Sequence, residues 1–126
     1  MKKVLVDSSG WIEHLQGSAR AALFAAAFAR GNQVIVPSIC LYEVHRLIGS
    51  REGDAVADAA VSLMRKCHVV GLDETLAYDA SVCSRTRGLA MADAIIYATA
   101  TRHRAELWTQ DAHFKDLAGV RFFPKP

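Results

Sequence analysis

The chain has 126 residues, 52% of them hydrophobic and 22% charged, with a formal net charge of +2 at pH 7. That length fits one domain, residues 1–126, and the apolar content supports a packed core and excludes a disordered chain. A charge so near balance excludes a uniformly basic nucleic-acid binder, so any grip on phosphates has to come from a local patch.

The start, Met1-Lys2-Lys3-Val4-Leu5-Val6, pairs basic residues with an apolar run, but Asp7 stops that run too early for a signal peptide. Val4-Leu5-Val6 reads as a buried strand, and a helix follows over about Ser9 to Leu15. Ser18 can cap a second helix, rich in Ala and carrying Leu23, Phe24 and Phe28, that ends near Gly31. Val34-Ile35-Val36 is the second strand, and Pro37-Ser38 opens a helix expected to stop at Gly49. Another helix covers about Asp54 to Lys66, before a third strand at His68-Val69-Val70. Asp73 or Thr75 begins a helix reaching about Thr86, and Arg85-Thr86-Arg87-Gly88 reads as the loop before a buried helix over Met91 to His103. Glu106 to Thr109 is the fourth strand, Asp111 starts a short helix, and Arg121-Phe122-Phe123 is a candidate fifth, edge strand. The longest apolar stretch, Ala21 to Ala29, is too short to span a bilayer. Cys40, Cys67 and Cys83 are odd in number and widely spaced, which predicts reduced thiols in a cytoplasmic protein.

Short strands, apolar on both faces and separated by helices, predict an α/β fold: a central parallel sheet of four to five strands in a three-layer α/β/α arrangement. Sites in such sheets form beyond the carboxyl ends of the strands, where strand order reverses. Asp7 follows the first strand and Asp111 follows the fourth, so the two carboxylates meet if those strands are neighbours. Each also suits a plain helix cap, and Asp93 suits the first turn of its helix through the dipole. Glu43 is harder to place, because Ile39 and Leu47 lie four residues to either side on the same helical face. A carboxylate inside an apolar stripe is costly unless paired, and Arg46 is the local partner to weigh. Asp93 is the only charge in Met91-Ala92-Asp93-Ala94-Ile95-Ile96-Tyr97-Ala98, which is apolar nearly all round. Two carboxylates at 4 Å repel by about 4 kcal/mol at an effective dielectric near 20. A divalent cation resolves that conflict, and Mg²⁺ or Mn²⁺ prefers carboxylate oxygens.

Four segments resemble the motifs of the PIN-domain nucleases, and especially the VapC-type toxins of toxin–antitoxin pairs. They are Val6-Asp7-Ser8-Ser9-Gly10-Trp11-Ile12, Pro37-Ser38-Ile39-Cys40-Leu41-Tyr42-Glu43-Val44, the segment Leu89 to Ala100 around Asp93, and Leu107-Trp108-Thr109-Gln110-Asp111-Ala112-His113-Phe114. The resemblance spans the chain in the right order. It implies a PIN-like fold and a Mg²⁺-dependent endoribonuclease in which Asp7, Glu43, Asp93 and Asp111 hold one or two Mg²⁺ or Mn²⁺ ions. Ser9 and Thr109 match positions whose hydroxyls support those acids, with ordinary capping as the alternative. It implies RNA as substrate, a homodimer, and inhibition by a cognate antitoxin protein laid over apolar helices, with the Ala-rich face around Phe24 and Phe28 as a candidate surface.

Arg85, Arg87 and Arg46 are the candidate substrate-binding residues, with Arg51 and Lys115 as further phosphate contacts and solvated turns as the alternative. Trp11 could stack a base or pack behind the first helix, and His113 could touch substrate or lie free on the surface. Two other functions remain open. One is an aspartyl phosphatase-like hydrolase with Asp7 as nucleophile and Ser38 binding phosphate, although Ser9 stands where that chemistry wants a second Asp. The other is a non-catalytic RNA- or protein-binding module whose acidic pocket holds a partner's Arg.

Overall fold

A computed structural model describes residues 2–126. In chain order it has β1 (Lys3–Val6), α1 (Ser8–Gln16), α2 (Ala21–Phe24), a 3-10 turn (Ala25–Phe28), β2 (Gln33–Pro37), α3 (Ser38–Glu52), α4 (Asp54–Met64) and β3 (His68–Val70). These are followed by α5 (Glu74–Arg87), α6 (Met91–His103), β4 (Glu106–Thr109), a second 3-10 turn (Ala112–Phe114) and β5 (Val120–Phe122). The strands form one sheet in the order β3-β2-β1-β4-β5, with every pairing parallel. Parallel neighbours need crossovers, and right-handed crossovers in opposite directions put helices on opposite faces. The steps from β1 to β3 carry α1 to α4 across one face. The return from β3 to β4 carries α5 and α6 across the other, giving the three-layer α/β/α architecture.

Burial on both faces explains the strand composition: Val4, Leu5 and Val6 of the central β1 are fully buried, as is Leu107 of β4. Strand order reverses between β1 and β4, which pair directly with Val6 opposite Trp108. The Asp7 amide extends that ladder by donating to the Trp108 carbonyl. Asp7 and Thr109 therefore leave the sheet side by side. No helix among the described residues is long and apolar enough to cross a membrane. The three cysteines are free, and Cys40 and Cys83 are buried.

Gly10 is where the first turn of α1 presses closest onto the core. A Cβ there would lie 2.6 Å from Val6 Cγ1 and 2.8 Å from a ring carbon of Phe24. Both neighbours are fully buried and cannot retreat. Gly10→Ala is expected to destabilise the protein by about 2 kcal/mol through overpacking, read as a lower urea midpoint with an unchanged m-value.

Four sequence expectations need correction. α3 does not stop at Gly49 but runs to Glu52; Gly49 lies within the helix where it packs against α4, and a Cβ there would sit in ordinary contact, 3.6 Å from Ala57. The chain turns at Gly53, whose φ of +90° suits glycine. The Ala-rich helix expected to end near Gly31 is a four-residue α2 tightened into a 3-10 turn, and the Asn32 side chain donates to the carbonyls of Ala26 and Ala27. Ser18 does not cap it through its side chain; its Oγ donates instead to Glu13. Arg85 and Arg87 lie in the last turn of α5 and not in a loop, and Gly88 supplies the left-handed cap that ends the helix.

Candidate active site

Asp7 caps α1: its Oδ1 accepts from the Gly10 amide at 2.9 Å and more weakly from Ser9 Oγ. Its Oδ2 accepts from Thr109 Oγ1 at 2.6 Å. Thr109 Oγ1 in turn accepts from the Asp111 amide at 2.9 Å, so one hydroxyl ties the ends of β1 and β4 together. These bonds favour the charged carboxylate, yet burial outweighs them. Asp7 is only 4% exposed, and desolvation, with a smaller push from the charge of Asp111, raises its pKa from 3.8 to about 6.

Asp93 enters from the first turn of α6, whose residues from Ala94 to Ala100 are all buried. Burial raises its pKa, Asp111 raises it further, and His113 opposes both. Asp111 caps the second 3-10 turn by accepting from the His113 amide. That turn places His113 Nδ1 3.1 Å from Asp93 Oδ2 and 3.2 Å from Asp111 Oδ1. Carboxylates only accept, so Nδ1 carries the hydrogen. One donor atom from each of Asp93, Asp111 and His113 lies within 4.8 Å of the others, a spacing compatible with a single cation.

Glu43 lies outside that group of three and is tied towards it only through a residue that the sequence motifs do not single out. Ser8 Oγ donates to Glu43 Oε1 at 2.6 Å, and Ser8 adjoins Asp7. Glu43 makes no ion pair with Arg46 among the described residues. It flanks the buried stripe of α3, formed by Cys40, Val44 and Ile48, and does not sit within it. Its half-burial leaves a carboxylate held by a hydroxyl and still open to solvent. If Ser8 orients Glu43 for a cation, Ser8→Ala is expected to weaken metal affinity by about 10–100-fold while leaving the melting temperature nearly unchanged, measured by titration calorimetry.

The cationic candidates disperse. The Arg87 guanidinium lies over the Tyr97 ring, in a cleft with Arg104 and Glu106 at the amino end of β4, the opposite end of that strand from Asp111. Arg85 lines an apolar groove between α5 and α6 with Leu72, Met91 and Ile95. Arg46 faces a shallow cleft between α3 and α4, and Arg51 is exposed in the last turn of α3. Lys115 does lie beside Asp111, in a cleft that also holds Lys125. Trp11 is 3% exposed and packs edge-on against Phe28, so it cannot stack a base. Phe24 is fully buried, whereas Phe28 is only partly buried and stacks on His14.

Sequence reasoning also missed Gln110. It is buried between Thr109 and Asp111, accepts from Arg20 Nε at 2.6 Å and donates to Glu13 at 3.0 Å. A polar residue directly before Asp111 was the available signal, but its partners lie some 90 positions away, and nothing local names them.

The chain resembles solved structures over nearly its whole length. The toxin–antitoxin complex from Klebsiella pneumoniae has a chain 23% identical, with a TM-score of 0.79, covering 97% of this chain and 99% of that one. The sarcin–ricin-loop-cleaving toxin VapC20 of Mycobacterium tuberculosis is 22% identical, with a TM-score of 0.73 over 91% of this chain and 95% of that one. A chain of the DNA-bound VapBC complex of Salmonella typhimurium is 17% identical, with a TM-score of 0.73 over 98% of each. At these identities the likeness is one of fold. A comparison with curated proteins by sequence found no match. Residues 4–120 match the PIN domain family, and with the sheet order and the acids gathered at its reversal point, this chain belongs to that family.

Proposed function

We infer that the chain is a metal-dependent ribonuclease, the toxin of a toxin–antitoxin pair. The observation that carries this is the buried, pKa-raised Asp7 facing Asp111, which in turn faces Asp93, with the His113 ring the only basic side chain in contact with Asp93 and Asp111 among the described residues. Like charges held together against their own titration need a cation, and the chemistry of the donors suits a hard one. Asp7, Asp93, Asp111 and Glu43 would hold it. A bound Mg²⁺ or Mn²⁺ supplies the Lewis acidity that lets water attack a phosphodiester and that neutralises charge on the oxygens around phosphorus. The chain's own part is to fix the carboxylates: Thr109 and Ser9 hold Asp7, and Ser8 holds Glu43.

The neighbour named as a sarcin–ricin-loop-cleaving toxin supports the choice of RNA, and the neighbours from toxin–antitoxin complexes support an antitoxin partner, over a phosphatase or a passive binding module. The antitoxin's surface is then the groove between α1, α3 and α4, lined by Leu15, Ile48, Val56, Ala60 and Leu63, where Val56 and Leu63 are about half exposed. A homodimer and a cytoplasmic location complete the reading. The test is cleavage of a panel of transfer, ribosomal and messenger RNAs with Mg²⁺ or Mn²⁺. The purified chain should cut at least one RNA, stop on addition of chelator, and stop with Asp93→Asn while that variant still melts cooperatively. Cleavage that survives both treatments would sink the metal mechanism.

A further inference from the structure

Beside the acids, on the side of β5, lies a cleft of about 580 Å³ lined by Ser9, Asp111, Lys115, Phe122, Pro124 and Lys125. Its size falls within the range of about 300–1,000 Å³ usual for small-molecule sites. Two of its walls meet the acidic centre directly, through Asp111 and Ser9, the hydroxyl partner of Asp7. The opposite wall is the tail after β5, and it is built in place. Arg20 Nη2 donates to the carbonyls of Phe123 at 3.0 Å and Pro124 at 3.3 Å, while its Nε holds Gln110. Two ammonium groups, Lys115 and Lys125, therefore stand on a fixed frame at the rim of an otherwise acidic centre. Neither lysine is in an ion pair among the described residues. Phe122 and Pro124 give the same cleft apolar surface.

We propose that this cleft is the subsite for the nucleotide next to the scissile phosphate, with Lys115 and Lys125 taking flanking phosphates and Phe122 and Pro124 taking the base. The proposal rests on the ribonuclease reading and names the path of its substrate. A polyanion approaching Asp7, Asp93 and Asp111 meets repulsion, and counter-charges at the rim let the chain lie down beside the acids. Phosphate contacts position without reading sequence, and stacking on an apolar face is tolerant of base identity. An acidic peptide would share the lysines but has no use for the apolar face.

The test is binding of a short fluorescein-labelled single-stranded RNA, followed by anisotropy in chelator over a range of salt, so that no turnover is needed. Both lysines are exposed, so Lys115→Ala and Lys125→Ala should fold as the parent does. Each should make the slope of log affinity against log salt shallower by about 0.7, the value for one phosphate contact on a single strand. Lys66→Ala, before β3 at the far edge of the sheet, should leave the slope as it is. In cleavage assays with metal, the double variant should raise KM more than it lowers kcat. Unchanged salt slopes in a parent that cuts RNA would overturn the subsite alone. A parent that neither binds nor cuts RNA would overturn the subsite and the ribonuclease reading together. Loss of polyglutamate binding in the lysine variants, with RNA binding intact, would assign the cleft to an acidic peptide instead.

Discussion

Asp7→Asn should abolish RNA cleavage and, at the same time, make the metal-free protein more stable at neutral pH. Both effects come from the same burial. A group whose folded pKa is raised to about 6 from 3.8 binds its proton more tightly in the native state than in the unfolded chain. Stability is then fully present below about pH 4, falls as pH rises towards 6, and stays low above it. A rise of that size corresponds to about 3 kcal/mol at pH 7. Asn keeps the cap on α1, since Asn and Asp cap helices equally well, and never ionises. It loses part of the gain because Thr109 Oγ1 must turn its hydrogen away from the new amide nitrogen, at about 1 kcal/mol. The expected net is a stabilisation of about 2 kcal/mol in urea denaturation with chelator present. The same change removes a proposed metal ligand. Because outer-shell partners alone are worth about 10–100-fold, cleavage should fall by at least that factor. The stabilisation follows from burial whether Asp7 caps or ligates, so loss of cleavage in a variant that is folded and more stable is what marks Asp7 as a ligand.

The sheet and its helices were largely legible, because buried parallel strands and a helix apolar on all sides leave strong local patterns. β4 runs from Glu106 to Thr109 and α6 from Met91 to His103, as their composition predicts. What failed was governed by packing at a distance. The Ala-rich segment has the propensity for a long helix, but the core takes only Phe24 and Ala27 fully, so the chain tightens and leaves after one further turn. Gly49 reads as a stop until α4 is seen lying against it. At the candidate site, the convergence of Asp7 and Asp111 followed from strand order, which periodicity does not encode. The placement of Glu43 depended on Ser8, 35 positions away, and the placement of His113 on a three-residue turn. The arginines were the least legible residues, because an exposed cation leaves no mark in a sequence to say which edge of the sheet it faces.

Divalent metal should stabilise the protein strongly near pH 7.5 and hardly at all near pH 5, the reverse of the metal-free trend that Asp7 sets. Below about pH 6 the cation competes with the proton on Asp7, and the raised pKa of Asp93 adds to that competition. Above it the carboxylates are ionised and repel one another, and binding removes the repulsion. At a metal concentration of 100 Kd the gain is about 2.7 kcal/mol, enough to cancel most of the cost of the buried charge. His113 must yield as well: its Nδ1 occupies the space between Asp93 and Asp111, so metal entry has to break both contacts or recruit the ring as a ligand. The two routes separate in His113→Ala. If the ring is displaced, that variant binds metal at least as tightly as the parent; if the ring is a ligand, affinity falls. Thermal melts in Mg²⁺ or Mn²⁺ against chelator, at both pH values, read the whole scheme. Equal stabilisation at the two pH values would place the metal away from Asp7 and Asp93 and from any ligating imidazole, because proton competition at such groups links metal affinity to pH in that window.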